Sequence, residues 1–398
     1  MEQKYYQQPR IPISPVLSAK SFGLNKSTIA KISDLKYTLY TTSGRSAIAI
    51  ALKYFEVGSN DEVLVPTFHC TSMVDPVIWL EAKPVFYTIE INHEKTLLKA
   101  SIASIKKLIT PNTKALIVAH YFGQMQEISA LYALCKEKKI RIIEDCAHMY
   151  FGGDTNSAIG QYSDFVIGSA LKFYAMFDGG CLCSNTHKLP KNIFSTRNVK
   201  FEIKSLVNCL ERSLHYKRLL LISYFLAPLL SLKDYLWNKV KKKSTATSYS
   251  PAAAEGGFGF DPNWVYKPMS ITSRLIAFLT NDGRLVKLRR KNYMKWHQEL
   301  KNVEGGKALF DELSIFTVPH VFPFLVDQPE IIFPILKNLG VPILRFGEFL
   351  WDDTLYKVCP LTNYLSKHCF QFPCHQELSP AELDWAITTV KSVLSEHA

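Results

Sequence analysis

The segment RIIEDCAHMYFGGDTNSAIGQYSDFVIGSALKFYAMFDGGCLCS spans residues 141–184 and contains three short apolar runs. The runs occupy residues 141–143, 164–169 and 180–184. Short apolar runs that alternate with helix-like segments are typical of a mostly parallel sheet with helices on both faces. The segment therefore predicts an α/β fold in which these runs are strands.

The same alternation extends from this segment towards the N-terminus. Apolar runs and helical periodicity predict two further strands and two helices, at residues 62–66 and 115–119, and at 43–55 and 127–139. Ser72 and Asp75 have the spacing of a capping box, which predicts that another helix begins there. Together these elements indicate a large α/β domain.

After residue 186 the alternation ends. Residues 187 to about 262 combine a basic and aliphatic segment, the cluster KVKKK at 239–243 and a stretch of small residues and glycines, so we interpret them as an insertion. The helix and strand patterns resume beyond it. We therefore expect a large domain at residues 1–265, which carries the insertion, and a smaller C-terminal α+β domain at residues 266–398.

The composition excludes several classes of protein. The 398 residues have a formal net charge of +12, but Lys and Arg are spread along the chain without any nucleic-acid-binding signature, so we expect no nucleic-acid partner. Nine cysteines without a CxxC pair suit a reducing cytoplasm better than a disulfide scaffold. The first residues lack the apolar core of a secretory signal, and we therefore expect a cytoplasmic protein.

The most apolar stretch, residues 219–232, is shorter than the ~20 residues that a membrane-spanning helix needs. Basic residues flank it, so the region from about 215 to 243 has the character of an interfacial helix and leaves peripheral membrane contact open. We favour the alternative, in which this region packs on its own domain or on a partner subunit.

Four segments contain candidate residues for binding a cofactor. In the first, TTSGRSAIAIAL at residues 41–52, a turn of small residues leads directly into an apolar helix. Backbone N–H groups at such a helix N-terminus can hold a phosphate dianion. The alternative is that Ser43 only caps the helix and Gly44 only permits the turn.

The second segment, IIEDCAH at residues 142–148, predicts a buried strand that ends in two acids. A carboxylate there can pair with the protonated pyridine nitrogen of pyridoxal phosphate and keep the cofactor ring electron-poor. Asp145 is the candidate. His148 follows closely enough to contact the ring or its phenolic oxygen. The alternatives are a helix cap for Asp145 and a structural hydrogen bond for His148.

The third segment, SALKFYAMFDGG at residues 169–180, places Lys172 directly after a buried strand and among apolar neighbours. Desolvation would make its amine more nucleophilic, as Schiff-base chemistry with the cofactor requires. Ser169 can donate a hydrogen bond to the phosphate. The apolar context disfavours the alternative, a surface lysine whose stem lies along the protein.

The fourth segment, VPTFHCTSMVDPVI at residues 65–78, predicts a strand that runs into a loop and a new helix. Phe68, His69 or Cys70 can lie over the pyridine ring. His69 is our choice, because a planar ring can stack on the cofactor. An ordinary hydrophobic loop is the alternative.

Taken in order, SGRSA, EVLVPTFHCTS, AKPVFYTIE, AHYFGQ, IIEDCAH and a lysine followed by FDGG resemble the DegT-type family of sugar aminotransferases. The closing segment FQFPCHQELSPAELDWAI is similar to that of the family as well. The resemblance covers nearly the whole chain apart from the insertion. It implies a type I pyridoxal-phosphate fold and a homodimer with active sites at the subunit interface.

Residue by residue, the resemblance implies that Lys172 is the Schiff-base lysine, Asp145 the partner of the pyridine nitrogen and His148 the residue beside the ring. It also implies a phosphate-binding turn made of Gly44, Arg45 and Ser46. Family members of this kind move an amino group from glutamate to a keto sugar attached to a nucleotide, for cell-surface polysaccharide or secondary-metabolite biosynthesis.

The chain departs from the family pattern in several places. Many members have a serine five residues before the lysine, whereas this chain has Ile167 there and offers Ser169 instead. Cys70 stands where many members have a stacking aromatic, and an Asn-x-Arg motif that reaches across the dimer is replaced at residues 266–268. Arg345 is a candidate for binding the substrate, with a surface ion pair as the alternative. A nucleotide-linked or a lipid-linked acceptor is compatible with the sequence.

Other functions are less well supported. Sugar dehydratases of this family replace the lysine by histidine, so Lys172 disfavours that reaction. A non-catalytic regulator or membrane-associated homologue is the alternative from another class, motivated by the basic insertion and the altered substrate positions. No GxGxxG follows the first strand, which disfavours a dinucleotide enzyme. The histidines and cysteines lack a recognised ligand spacing, so we expect no metal.

Overall fold

The computed structural model describes residues 6–23, 25–92, 97–152, 159–219, 260–352 and 354–398. Residues 220–259 lie outside the described residues, and they include most of the predicted insertion and most of the region for which membrane contact was left open. In the described ranges, no helix has both the length and the apolar character needed to cross a membrane.

The strands form two main sheets. They are β1 (Tyr37–Thr41), β2 (Glu62–Pro66), β3 (Lys83–Tyr87), β4 (Ile89–Asn92), β5 (Leu97–Ala100), β6 (Thr113–Ala119), β7 (Arg141–Asp145), β8 (Phe165–Gly168), β9 (Gly180–Ser184), β10 (Gly306–Ala308), β11 (Val321–Val326), β12 (Leu344–Arg345) and β13 (Cys369–Pro373). The larger sheet has the order β1-β9-β8-β7-β6-β2-β3, and the smaller has the order β10-β11-β13-β12. Strands β4 and β5 pair separately.

The larger sheet is mostly parallel, as the sequence predicts. Strands β3, β2, β6, β7 and β8 run parallel to their neighbours in this series, and β9 is antiparallel to both β8 and β1. All residues of β2, β8 and β9 are buried. Strands buried on both faces read as continuous apolar runs, which is why these segments were recognisable in the sequence.

Helices cover both faces of the larger sheet. The described helices are α1 (Gly44–Tyr54), α2 (Thr71–Trp79), α3 (Ile102–Leu108), α4 (Ser129–Lys138), α5 (Val199–His215), α6 (Ile271–Leu279), α7 (Asp282–Leu300), α8 (Pro329–Asn338), α9 (Leu355–Val358), α10 (Pro360–His368) and α11 (Pro380–Glu396). Val63 and Val65 of β2 belong to the core that contains α1, whereas Leu64 packs with Leu131 of α4. Alternate residues of one strand therefore bury opposite faces of the sheet.

The smaller sheet is antiparallel and has its own core, in which Trp296 of α7 stacks on Phe372 of β13. Leu285, eleven residues earlier on α7, packs with Phe173 in the core beneath the larger sheet. Helix α7 thus passes from one core to the other. The predicted domain boundary at residue 265 stays a prediction, since Ile276 of α6 also packs in the core that contains Phe173.

The predicted capping box at Ser72 and Asp75 is wrong. Helix α2 begins at Thr71, and its N-cap, Cys70, makes no capping hydrogen bond through its side chain. Asp75 lies inside the helix, 3.4 Å from Nε of Arg45 on α1. The carboxylate pairs with Arg45 instead of capping the helix, a tertiary contact that local spacing cannot reveal.

Candidate active site

The ends of two adjacent parallel strands bring together the predicted lysine and carboxylate. Asp145 is the last residue of β7, and Lys172 lies in the short 3-10 turn Ala170–Lys172 that follows β8. Because β7 and β8 are parallel neighbours, both residues emerge at the same edge of the sheet. Ligands in α/β folds bind outside the carboxyl ends of such strands.

Lys172 lies in an environment that favours its neutral amine. Burial lowers the pKa of Lys172, and the nearby Cys70 thiol and Asp145 carboxylate oppose that shift. A desolvated amine of lowered pKa is a better nucleophile at neutral pH than an exposed lysine.

Asp145 is 4% exposed, and its Oδ1 accepts a hydrogen bond of 2.8 Å from the N–H of Ala147. Burial raises the pKa of the Asp145 carboxyl, while that hydrogen bond and the positive charges of Lys172 and His120 act against the rise. Its raised pKa indicates that the carboxylate is incompletely compensated. A cationic group placed beside Oδ2 would stabilise its ionised form.

The carboxylate of the neighbouring residue Glu144 already has hydrogen-bond partners. Its Oε2 lies 2.9 Å from His120 Nε2, and its Oε1 accepts hydrogen bonds from the N–H of Gly160 and the hydroxyl of Ser163. His120 and Glu144 also lie close to the buried thiol of Cys146. Hydrogen bonds account for His120 and Glu144, so this group needs no metal to explain it and leaves Asp145 as the available acid.

His148 is held from three directions. Its Nδ1 accepts a hydrogen bond of 3.4 Å from the N–H of Phe122, which places the imidazole proton on Nε2. Its ring stacks on Phe122 at 5.6 Å and on His320 at 5.0 Å between centroids. Burial, and then the charge of Lys172, lower the pKa of His148 well below its ordinary value. His148 is therefore a neutral ring with one N–H to donate.

The peptide that holds His148 is itself strained. Phe122 has φ of 55°, in the left-handed region that a non-glycine residue adopts at a cost of about 1 kcal/mol or more. The ring of Phe122 is buried, and the hydroxyl of the preceding Tyr121 donates a hydrogen bond of 2.6 Å to the carbonyl of Phe68. These contacts fix the strained turn beside His148.

The predicted phosphate turn lies against the segment that carries Lys172. A methyl group added to Gly44 would be 3.8 Å from the Cβ of Ser169, so the start of α1 and Ser169 adjoin. Gly180 packs so closely that a methyl group there would be 2.2 Å from the carbonyl carbon of Ser43. Ser43 also caps α1, since its side chain accepts the N–H of Ser46 at 3.1 Å. Capping and turn formation, the alternative roles for this segment, are thus both present.

The side chains of Arg45 and Ser46 point into the protein. Arg45 pairs with Asp75, and burial raises the pKa of that carboxyl to about 6 although Arg45 lowers it. The Ser46 hydroxyl lies 3.0 Å from Thr42 Oγ1 and 3.5 Å from the carbonyl oxygen of Trp264. A phosphate role for these residues would use their backbone, and it stays a prediction.

His69 is fully buried, and both of its ring nitrogens have partners. Nδ1 lies 3.0 Å from the carbonyl oxygens of Pro66 and Thr67, and Nε2 accepts the N–H of Trp351 at 3.1 Å. Its ring stacks on Phe86, and burial lowers its pKa to about 4. This geometry supports a structural role more than the predicted stacking on the cofactor. Cys70 is less buried and lies near Lys172.

Arg345 lies in the smaller sheet, and its guanidinium has partners close by. Its guanidinium is 2.6 Å from Glu348 and 4.2 Å above the ring of Phe333. These contacts fit the alternative of an ion pair. Its predicted role in binding the substrate stays a prediction.

The sequence motifs did not identify two residues that lie near Lys172. His320, which precedes β11, stacks on His148, and Arg289 of α7 donates a hydrogen bond of 2.9 Å to the carbonyl of Lys172. Arg289 is spaced four and seven residues from the buried Leu285 and Trp296, so helical periodicity offered a signal for it. His320 carried no local signal, because its neighbour His148 is distant in the sequence.

The fold and the strand-end lysine and carboxylate define an α/β protein of the aminotransferase fold. Solved structures with this fold include an aminotransferase from Psychrobacter cryohalolentis (TM-score 0.60, 15% identity, 92% of this chain and 89% of that one). Another is the aminotransferase TlmJ from Streptoalloteichus hindustanus (TM-score 0.59, 18% identity, 90% and 86%). Residues 26–211 match the model of the DegT/DnrJ/EryC1/StrS aminotransferase family.

Curated relatives match part of the chain. A UDP-N-acetyl-3-dehydro-alpha-D-glucosamine 3-aminotransferase from Acidithiobacillus ferrooxidans is 29% identical over 195 residues, which are 47% of this chain and 52% of the relative. GDP-perosamine synthase from Vibrio cholerae is 30% identical over 159 residues, 39% of this chain and 42% of the relative. The chain thus matches about half, or less, of the length of these relatives.

Proposed function

We propose that this protein is a pyridoxal-phosphate-dependent aminotransferase that moves an amino group from glutamate to a nucleotide-linked keto sugar. The observation that carries the proposal is the meeting of Lys172, Asp145 and His148 at one edge of the sheet, beside the start of α1. The product would serve the biosynthesis of cell-surface polysaccharides or secondary metabolites.

The chemistry of these residues fits the cofactor. The desolvated amine of Lys172 is suited to covalent attachment, and the incompletely compensated carboxylate of Asp145 is suited to a protonated pyridine nitrogen. The Nε2–H of His148 can donate to the phenolic oxygen. Ser169 and the first turn of α1 adjoin, and together they would hold the phosphate. A Streptococcus pneumoniae protein of this fold has been solved in forms named PLP and PMP.

Each residue then has a separate task in amino transfer. When bound, the cofactor supplies an electron-poor ring that takes up electrons released at the amino donor's α-carbon. Asp145 would keep the pyridine nitrogen of the cofactor protonated, an electrostatic effect that is strong where water is excluded. The Lys172 amine would take up the proton released at the donor's α-carbon and hold it beside the cofactor. Burial lowers the pKa of Lys172, which favours the unprotonated amine that this step requires.

The proposed acceptor follows from the relatives. The names of several give nucleotide-linked sugars, with UDP, GDP and dTDP as the nucleotides. The acceptor would therefore present a sugar ketone near Lys172 and a diphosphate further out. A lipid-linked acceptor would carry the same diphosphate chemistry, and a comparison of the two substrate types with purified enzyme separates them.

A homodimer in the cytoplasm is part of the proposal. Helices α5 and α6 lie side by side, since Ser205 and Ser273 both donate hydrogen bonds to Asp178. Each helix exposes an apolar stripe with a spacing of four and three residues. The stripes consist of Val199, Ile203 and Leu206 on α5, and of Ile271, Leu275 and Phe278 on α6. A contiguous exposed apolar surface of this kind is typical of a protein interface.

The absorbance spectrum of the purified protein with pyridoxal phosphate, before and after L-glutamate, tests the proposal. A visible band that shifts towards the ultraviolet, with release of 2-oxoglutarate, is the expected result. A protein that binds no cofactor, or binds it without amino transfer, would contradict the proposal. The non-catalytic homologue would then be the better description, and the replacement of the usual stacking aromatic by Cys70 is the observation that favours it.

A further inference from the structure

Arg289 lies at the centre of a hydrogen-bond network behind Lys172. It is on the buried side of α7 and is 0% exposed. A guanidinium group has five N–H donors, and each one here has an acceptor. The acceptors are Gln376 Oε1 at 2.9 Å and the carbonyl oxygens of Pro319 at 3.0 Å, His320 at 3.1 Å, Lys172 at 2.9 Å and Phe173 at 3.2 Å.

These acceptors come from three separate segments. Lys172 and Phe173 belong to the turn after β8, Pro319 and His320 precede β11, and Gln376 follows β13. Gln376 Nε2 also donates a hydrogen bond of 2.9 Å to the carbonyl of Phe173. Arg289 and Gln376 therefore tie the backbone at Lys172 to both strands at the centre of the smaller sheet.

Burying the positive charge of Arg289 costs free energy of folding. No carboxylate is hydrogen-bonded to Arg289 in the part of the chain that the structure describes, and desolvation of a charge costs several kcal/mol unless it is compensated. Burial lowers the pKa of Arg289 to about 10, so the group stays charged at neutral pH. An apolar side chain would fill the core without this cost, which points to a role beyond packing.

We infer that Arg289, together with Gln376, is a positioning residue that fixes the backbone from which the Lys172 amine reaches the cofactor. The inference rests on the proposed function, in which that amine both attaches the cofactor and carries a proton. Both tasks depend on the position of the Lys172 amine. A displacement of a reacting group by about 1 Å can lower the reaction rate about 100-fold. Lysine at position 289 offers three donors, so it could replace at most three of the five hydrogen bonds that Arg289 donates.

Covalent trapping of the cofactor tests this inference without relying on turnover. Full-length wild type, Arg289→Lys, Gln376→Met and Arg290→Lys are incubated with pyridoxal phosphate, reduced with borohydride at intervals, and mapped by peptide mass spectrometry. Arg290 is the matched control, since it neighbours Arg289 but binds the carbonyls of Ser314 and Thr317 near the surface. The single-turnover rate with glutamate is measured on the same samples.

We expect Arg289→Lys and Gln376→Met to label Lys172 about 10- to 100-fold more slowly than wild type. Their single-turnover rates should fall in parallel, and Arg290→Lys should behave like wild type. If Arg289→Lys does not fold, Gln376→Met decides, because it keeps the buried guanidinium. Variants that fold and label at the wild-type rate would overturn the inference and leave the proposed function standing. A wild type that is not labelled at Lys172 would overturn both.

Discussion

The imidazole rings of His148 and His320 lie nearly parallel, with centroids 5.0 Å apart and an angle of 21° between their planes. His148 follows β7 of the larger sheet, and His320 precedes β11 of the smaller one. Nδ1 of His320 is buried and has no hydrogen-bond partner among the described residues. The smaller sheet therefore contributes a ring directly to the candidate site, and the stack orients the N–H that His148 would donate to the cofactor.

Two substitutions of His320 distinguish the role of its aromatic ring from the role of its nitrogen atoms. We expect His320→Phe to bind pyridoxal phosphate nearly as tightly as wild type, because the stack on His148 is kept. His320→Ala should bind about 2- to 10-fold more weakly, as expected for the loss of one aromatic pair. A spectrophotometric titration measures both affinities. Equal weakening in the two variants would show that a nitrogen atom of His320, and not its ring, matters for binding.

Removing the charge of Asp145 should reduce catalysis more than binding. In Asp145→Asn, the pyridine nitrogen loses the partner that keeps it protonated, so the single-turnover rate with glutamate should fall at least about 100-fold. The cofactor should still attach to Lys172. Asp384→Asn is the control, because Asp384 is a surface residue that pairs with Lys295. A rate in Asp145→Asn within a few-fold of wild type would contradict the role given to Asp145.

A charged side chain introduced into the apolar stripes of α5 and α6 should dissociate the proposed homodimer. Phe278 is 71% exposed and lies on the stripe of α6, so Phe278→Asp should place an unpaired carboxylate in the interface without disturbing the fold. Sedimentation velocity measures the change in mass. Ile315→Asp, at an equally exposed apolar residue outside the stripes, is the matched control. A wild type that sediments as a monomer would contradict the dimer.

Buried histidines should make the protein less stable in acid. Burial lowers the pKa of His69 to about 4 and that of His375 to about 3, below the 6.5 of an exposed histidine. Between pH 6.5 and the lowered pKa, the unfolded chain binds a proton at each histidine that the folded chain does not bind. The stability that each neutral, buried histidine contributes is therefore fully present above pH 6.5 and is lost as the pH falls. For His69 the loss by pH 4 amounts to about 3 kcal/mol.

Urea unfolding at a series of pH values measures this effect. In His69→Gln the dependence of the free energy of unfolding on pH between 4 and 6.5 should be shallower than in wild type. His397→Gln, near the C-terminus, should keep the wild-type slope. An unchanged slope in His69→Gln would mean that His69 is accessible to protons in the folded protein.

The parts of the fold that the sequence predicted are those set by local pattern. Continuous apolar runs identified β2, β8 and β9, because strands covered on both faces are apolar throughout. The positions of Asp145 and Lys172 followed from the same logic, since each comes at or just after the end of a buried strand. These predictions needed no knowledge of how distant segments pack.

The parts that the sequence did not predict depend on tertiary contacts. Asp75 has the spacing of a capping residue, yet its carboxylate pairs with Arg45 of the preceding helix. His69 was chosen for its planar ring, but the N–H of Trp351, 282 residues away, occupies its second nitrogen. His320 meets His148 only because β11 of the smaller sheet lies beside the turn Tyr121–Gly123 that follows β6. No local pattern carries such information.

The most direct test of the central claim is the spectrum of Lys172→Ala compared with that of wild type, each with pyridoxal phosphate and then with L-glutamate. We predict that wild type shows a visible band that moves to the ultraviolet with release of 2-oxoglutarate. Lys172→Ala should show neither the attached-cofactor band nor turnover, although it keeps the fold. A Lys172→Ala protein that retains the band and transfers the amino group at the wild-type rate would contradict the assignment of Lys172.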